Sequence, residues 1–140
     1  MSKYFVDTNV FLRFLTNDVP TQAEAVVRLL QRAAEGKVVL QTSVLVLAEI
    51  VWTLESYYEL SREEIKAKVL AILNTPGLQV ENAELIGQAI LLYVDKNVDY
   101  IDAYNAYWMT QQGLSQAYTF DTKHFARAEG VVSLVPGTDE

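Results

Sequence analysis

The chain has 140 residues, 51% of them hydrophobic and 21% charged, which suits one folded domain with a real core and excludes a disordered chain. It has no cysteine, so disulfides and thiolate metal sites are excluded, and Met1 to Phe11 lacks the long apolar stretch of a signal peptide. No apolar run approaches a membrane span, and the formal net charge of -7 argues against a broadly basic nucleic-acid surface, so a soluble, cytoplasmic protein is expected.

Tyr4 to Asp7 reads as a buried strand ending on an acid, with Phe11 to Leu15 as a short helix behind it. Pro20 suits the first turn of the next helix, with Asp18 as its cap, and Ala23, Val26, Val27, Leu30 and Ala33 keep the helical period until Gly36. Val38 to Gln41 is a second strand. Thr42 or Ser43 then caps a helix to about Tyr58 that is apolar on nearly every side, the pattern of a buried helix. Ser61 and Glu64 form a capping box for a helix from Arg62 to Leu73. Pro76 and Gly77 turn into a third strand, Leu78 to Val80, and Asn82 caps a helix through Val94. Another helix opens at Asp99 or Tyr100 and closes at Gly113. Gln116 to Phe120 is a fourth strand, with Asp121 directly after it, and Val131 to Val135 is a fifth. Strands alternating with helices predict a parallel sheet covered on both faces, joined by right-handed crossovers. The expected fold is a three-layer α/β/α sandwich around a central, mostly parallel five-stranded sheet, with residues 1–140 as one domain.

Ligands of open α/β sheets bind beyond the carboxyl ends of the strands. Asp7 and Asp121 fall at such ends, and Asp102 lies in the first turn of a helix that starts on the same edge. Glu49 sits two turns into the apolar helix, among Leu45, Val46, Leu47, Ile50 and Val51, with no Lys or Arg within a helical turn. A buried, unpaired carboxylate costs several kcal/mol, so a cation or a distant base is expected beside it. Two such charges ~5 Å apart at an effective dielectric of ~20 repel by roughly 3 kcal/mol. Hard divalent ions with oxygen ligands offset that repulsion, and a single histidine with no cysteine disfavours zinc. Mg²⁺ or Mn²⁺ held by carboxylates suits phosphodiester hydrolysis and reverses the local field of an acidic chain.

Four stretches then resemble, in order and spacing, the motifs of PIN domains, those of VapC toxins most nearly. They are Phe5-Val6-Asp7-Thr8-Asn9-Val10-Phe11-Leu12-Arg13; Ser43 with Leu45-Val46-Leu47-Ala48-Glu49; Asp99-Tyr100-Ile101-Asp102-Ala103; and Thr119-Phe120-Asp121. The resemblance covers nearly the whole chain. It implies a PIN-like fold and a metal-dependent endoribonuclease, in which Asp7, Glu49, Asp102 and Asp121 hold Mg²⁺ or Mn²⁺ and Asp7 and Asp102 bind it directly. It further implies that Asn9 and Thr119 orient the acids, and that RNA, a cognate antitoxin and a second copy of the chain are partners, with no membrane.

Plainer roles stand beside these. Asp99 equally suits a helix cap, Asp7 and Asp121 suit turns, and Glu49 suits pairing with a distant Arg. Arg13 suits contact with RNA or a partner and, as well, a solvated helix face. His124, the one histidine, is not needed as a base. Tyr100, Tyr104, Tyr107 and Trp108 have the spacing of core or dimer packing more than of base stacking. A non-catalytic PIN-like binding module is the alternative function. An aspartyl phosphatase would want a second Asp where Asn9 stands, and a signalling receiver domain would want an acid and a lysine that are not in place.

Overall fold

The computed structural model describes residues 2–125, 127–128 and 130–137, with residues 124 and 125 described by their backbone. The chain divides into two compact units, Met1–Ala83 and Glu84–Glu140. In the first, β1 (Lys3–Phe5), β2 (Val39–Thr42) and β3 (Leu78–Val80) form a parallel sheet in the order β1-β2-β3. Leu40 stands in register between Tyr4 and Leu78. The first strand leads into α1 (Thr8–Thr16) and α2 (Pro20–Ala34), the second into α3 (Val44–Ser56) and α4 (Arg62–Leu73). Leu40, Leu47, Ile50, Leu54, Ile65 and Val69 are sealed from solvent. Each such side chain contributes about 1.5–3 kcal/mol over leaving it exposed.

Local chemistry accounts for the boundaries. Ser61 accepts from the Glu64 N–H at 3.2 Å while Glu64 accepts from the Ser61 N–H at 3.2 Å, so the expected capping box opens α4. Gly36, with φ at 78°, ends α2, and the Lys37 N–H turns back to the Arg32 carbonyl at 3.0 Å. Two expectations are corrected here. The first helix begins at Thr8, directly behind Asp7, so β1 stops at Phe5 instead of running on to the acid. Asp18 does not cap α2, which opens on Val19 and Pro20 with no side-chain cap. Its carboxylate accepts instead from the Tyr58 hydroxyl at 2.7 Å and the Thr16 hydroxyl at 3.0 Å, and Pro20, with no N–H of its own, leaves one fewer donor to cap.

The second unit holds most of α5 (Ala83–Asp95), then α6 (Tyr100–Gln111), β4 (Gln116–Tyr118), α7 (Thr122–Phe125) and β5 (Val132–Leu134). β4 and β5 pair in parallel, with Ala117 opposite Ser133. Ala106, Met109 and Ala128 pack with Leu92, Ala117 and Val131, and the Tyr93 and Tyr100 rings meet edge to face at 6.4 Å. Among the described residues the strands make a sheet of three in the first unit and a sheet of two in the second, so the α/β class is present and the expected single five-stranded sheet is not confirmed. Alternation of strand and helix dictates parallel pairing, and every ladder is parallel, but the pattern carries no information on which strand edges meet. No described helix is long and apolar enough to cross a membrane.

Candidate active site

In the first unit the site grows from the end of β1. The Val6 N–H donates to the Gln41 carbonyl at 2.9 Å, and the buried Thr42 hydroxyl donates to the Val6 carbonyl at 2.9 Å, so the residue before Asp7 is pinned on both sides. Asp7 then takes an extended backbone, φ -84° and ψ 164°, and becomes the N-cap of α1. Its carboxylate accepts the Thr8 N–H at 2.8 Å. Thr8 itself is only 5% exposed, and its hydroxyl donates to the Glu49 carboxylate across 41 residues of sequence. One buried residue therefore contacts two carboxylates, one with its backbone and one with its side chain.

Glu49 is exposed, which corrects the expectation of a buried acid in an all-round buried helix. Leu45, Glu49 and Trp52 fall on one stripe of α3 by helical spacing, and Leu45 and Trp52 are 79% and 69% exposed. Val46, Leu47, Ile50, Val51 and Leu54 form the buried arc. The exposed stripe is itself largely apolar, so hydrophobicity could not separate the two faces. The partner of Glu49 is a hydroxyl and not an Arg. Asn9, one residue past Thr8, is exposed on the first turn of α1.

The carboxyl edge of the same sheet opens into a hollow of about 500 Å³ lined by Phe5, Gln41, Thr42, Ser43, Gln79, Val80 and Glu81. Ser43 caps α3 by accepting the Val46 N–H at 3.3 Å, and Glu81 accepts the Val44 N–H at 3.0 Å. Glu81 is an acid at this edge that motif reasoning passed over. It follows β3 directly, as Asp7 and Asp121 closely follow their strands, and that placement was the available signal. Arg13 is partly exposed and has polar partners at the surface. Its Nε donates to Gln22 at 2.8 Å and its Nη1 lies 3.6 Å from the Asp18 carboxylate.

In the second unit Asp99 is the N-cap of α6, its Oδ2 accepting the Asp102 N–H at 3.4 Å, while its carbonyl accepts the Ala103 N–H at 2.8 Å. Asp102 occupies the first turn, where the unpaired N–H groups and the helix dipole favour an anion. Thr119 extends β4 by donating its N–H to the Leu134 carbonyl at 2.9 Å, and its hydroxyl accepts the Asp121 N–H at 2.9 Å. Asp121 is exposed and leads into α7, which packs against α6 and β5. The His124 side chain lies outside the described ones. Each unit thus presents acids at a strand end and on a helix, and within neither do three or more His, Asp or Glu side chains gather among the described residues. Carboxylates of this kind accept hydrogen bonds or ligate hard cations, and they are the oxygen donors that divalent ions prefer.

The sequence model of the family described as PIN domain matches residues 4–131. Among solved structures, VapC20 of Mycobacterium tuberculosis, a toxin that cleaves the sarcin–ricin loop, is 23% identical with a TM-score of 0.41, covering 95% of this chain and 99% of its own. VapBC2 from Rickettsia felis, bound to a DNA fragment from its promoter, is 14% identical with a TM-score of 0.39, covering 95% and 98%. No curated protein sequence matches the chain.

Proposed function

This chain belongs to the PIN-domain family, and on that premise we propose that it is a metal-dependent endoribonuclease, a single nuclease domain acting as the toxin of a VapBC-type toxin–antitoxin pair. One observation carries the reading: Thr8 holds Asp7 by its N–H and Glu49 by its hydroxyl, so carboxylates remote in sequence share a buried anchor beside the carboxyl edge of a parallel sheet. Anions held in this way repel one another unless a cation sits between them. The donor chemistry fits Mg²⁺ or Mn²⁺, because the acids offer oxygen alone and the chain has no thiolate.

Asp7 and Asp102 are the direct ligands in this reading, with Glu49 and Asp121 completing the set. When bound, the divalent ion supplies Lewis acidity toward the phosphate and lowers the pKa of water, so that hydrolysis runs at neutral pH. The chain's own residues supply position. Thr8 orients Asp7 and Glu49, Asp99 caps the helix that carries Asp102, Thr119 fixes the backbone of Asp121, and Asn9 orients the acids from the first turn of α1. RNA is the substrate. With a net charge of -7 the surface has little non-specific pull on a polyanion, and that same charge suits a basic antitoxin segment as the cognate partner. The working form is a cytoplasmic homodimer.

The experiment is an RNA cleavage assay on single-stranded and structured RNA with Mg²⁺, with Mn²⁺ and with EDTA. Cleavage that EDTA stops and added ion restores is the expected result. Cleavage indifferent to EDTA would remove the metal from the reading, and an intact, folded chain that cuts no RNA with either ion would favour the non-catalytic alternative.

A further inference from the structure

We infer that the hydrogen bond from Tyr58 to Asp18 is a positioning tie for the Asp7–Glu49 pair, an inference that rests on reading those acids as part of a metal site. The Tyr58 hydroxyl donates to Asp18 Oδ2 at 2.7 Å. Asp18 lies just past the end of α1, and Tyr58 just past the end of α3, the two helices that carry Thr8 and Glu49. Thr8 and Glu49 are separated by 41 residues, and Asp18 and Tyr58 by 40. Near-equal separations mean that α1 and α3 run side by side in one direction, bonded from the first turn of α1 to the middle of α3 and again just past both ends, with direct packing as well.

Such a pair of bonds sets axial register. A slide of one residue along a helix moves a side chain by about 1.5 Å, which is enough to break a hydrogen bond. The bond at Thr8 fixes one point of the α1–α3 contact, and the second bond, on the residues just past the two helix ends, fixes another, so that the exposed stripe of α3 carrying Glu49 is held at two points besides its core packing. The Asp18 end is firmly held. Thr16 donates to it at 3.0 Å, and Arg13, 3.6 Å away, reaches on to Gln22 of α2. Lys68 of α4 donates to the Leu15 carbonyl at 3.1 Å beside it. On the other side the Tyr58 ring stands edge to face with Tyr57 at 4.9 Å. An exposed polar contact of this kind adds little to global stability, so fixing a register accounts for the converging donors better than stabilisation does.

Tyr58→Phe removes one O–H and keeps the ring. In the full chain without metal, urea unfolding of wild type, Tyr58→Phe, Thr8→Val and the double variant forms a double-mutant cycle. Distant, independent sites add, whereas two bonds holding one register couple. The expected result is that Tyr58→Phe changes the unfolding constant at least threefold less when Thr8 is already Val. Calorimetric titration with Mn²⁺ is the second readout: Tyr58→Phe weakens binding about threefold to tenfold while the chain stays folded with its melting temperature lowered by only a few degrees, and Asp18→Asn, which keeps an acceptor oxygen, binds close to wild type. Additive unfolding energies, or unchanged Mn²⁺ affinity in Tyr58→Phe when wild type binds the ion, would overturn the tie. A wild type that binds no Mn²⁺ would overturn the metal reading instead, and the metal-free cycle would still decide the tie.

Discussion

The Thr8 hydroxyl, buried in the first turn of α1, spends its single hydrogen on the exposed carboxylate of Glu49. The bond is therefore fixed on one side and open to water on the other. Losing it leaves Glu49 free to hydrate, so its removal separates the position of the acid from the stability of the fold.

Thr8→Val keeps the shape of the side chain and deletes the donor. Melting is expected within a few degrees of wild type, while metal affinity and cleavage fall on the order of 10- to 100-fold, as when a partner behind a metal ligand is removed. Thr8→Ser restores the hydroxyl and is expected to recover most of the activity. A valine variant with wild-type cleavage would show that Glu49 needs no orienting.

Asp102→Asn tests the second unit. The Asp102 N–H bonds to Asp99 through the backbone, so the substitution leaves the cap of α6 in place. It removes a negative charge where acids are expected to crowd, which offsets the helix-dipole interaction lost in the first turn, so the melting temperature should stay close to wild type while cleavage disappears. Near-normal cleavage by this variant would take Asp102 out of the ligand set.

Divalent ions should stabilise the chain, since the bound state offsets repulsion that the unfolded chain lacks. A ligand at one hundred times its Kd adds about 2.7 kcal/mol. A rise in Tm with millimolar Mg²⁺ or Mn²⁺, reversed by EDTA and lost in Asp7→Asn, is the expected pattern. Curves that ignore both ions would argue against a preformed site.

Some of this was legible in the residues and some was not. Ser61 and Glu64 announced α4, which runs from Arg62 to Leu73 as expected, and Leu78–Val80 likewise matched, because caps and turns are local chemistry. The start of α1 was not legible, since the extended backbone of Asp7 serves a strand end and an N-cap alike. The exposed stripe of α3 was hidden because two of its members, Leu45 and Trp52, are apolar. The bond from Thr8 to Glu49 joins side chains far apart in sequence, and nothing in one sequence encodes which hydroxyl meets which acid. Strand pairing escaped for the same reason: it is decided by tertiary packing and not by pattern.

The Asp18–Tyr58 contact gives a pH dependence with a definite sign. The Tyr58 hydroxyl, and after it the Thr16 hydroxyl, hold the Asp18 carboxyl below its usual value of 3.8. A carboxyl lowered on folding contributes stability that is full above its unfolded value and is lost as pH falls through the folded one. The stability gap between wild type and Tyr58→Phe should therefore be constant from about pH 5 to the alkaline range, shrink in stronger acid, and shrink again in strong alkali, where Tyr58, held above its usual value by the same bond, ionises. Glu64, lowered from 4.5 by the Ser61 hydroxyl and N–H, predicts the same for Ser61→Ala. Urea titrations across the acid range check both, and a gap that widened in acid would reverse the assignment.

Two glycines separate backbone strain from crowding. Gly36 and Gly77 have φ of 78° and 80°, so alanine is strained at either. At Gly36 a β-carbon meets nothing within 4 Å, and Gly36→Ala should cost about 1–2 kcal/mol, that of the left-handed backbone. At Gly77 the same carbon falls 2.3 Å from the Ala33 carbonyl oxygen and 2.5 Å from its carbon. Those are backbone atoms at the end of α2, which no side-chain rotation relieves. Gly77→Ala must therefore push the turn off that helix, and because the Gly77 carbonyl accepts the Leu40 N–H at 3.0 Å, the shift reaches the central strand. A cost several kcal/mol above that of Gly36→Ala is expected from urea unfolding, with soluble yield falling in step. Equal costs at the two positions would mean that the turn before β3 yields freely, and the hollow bordered by Gln79, Val80 and Glu81 would then rest on a softer wall than the packing implies.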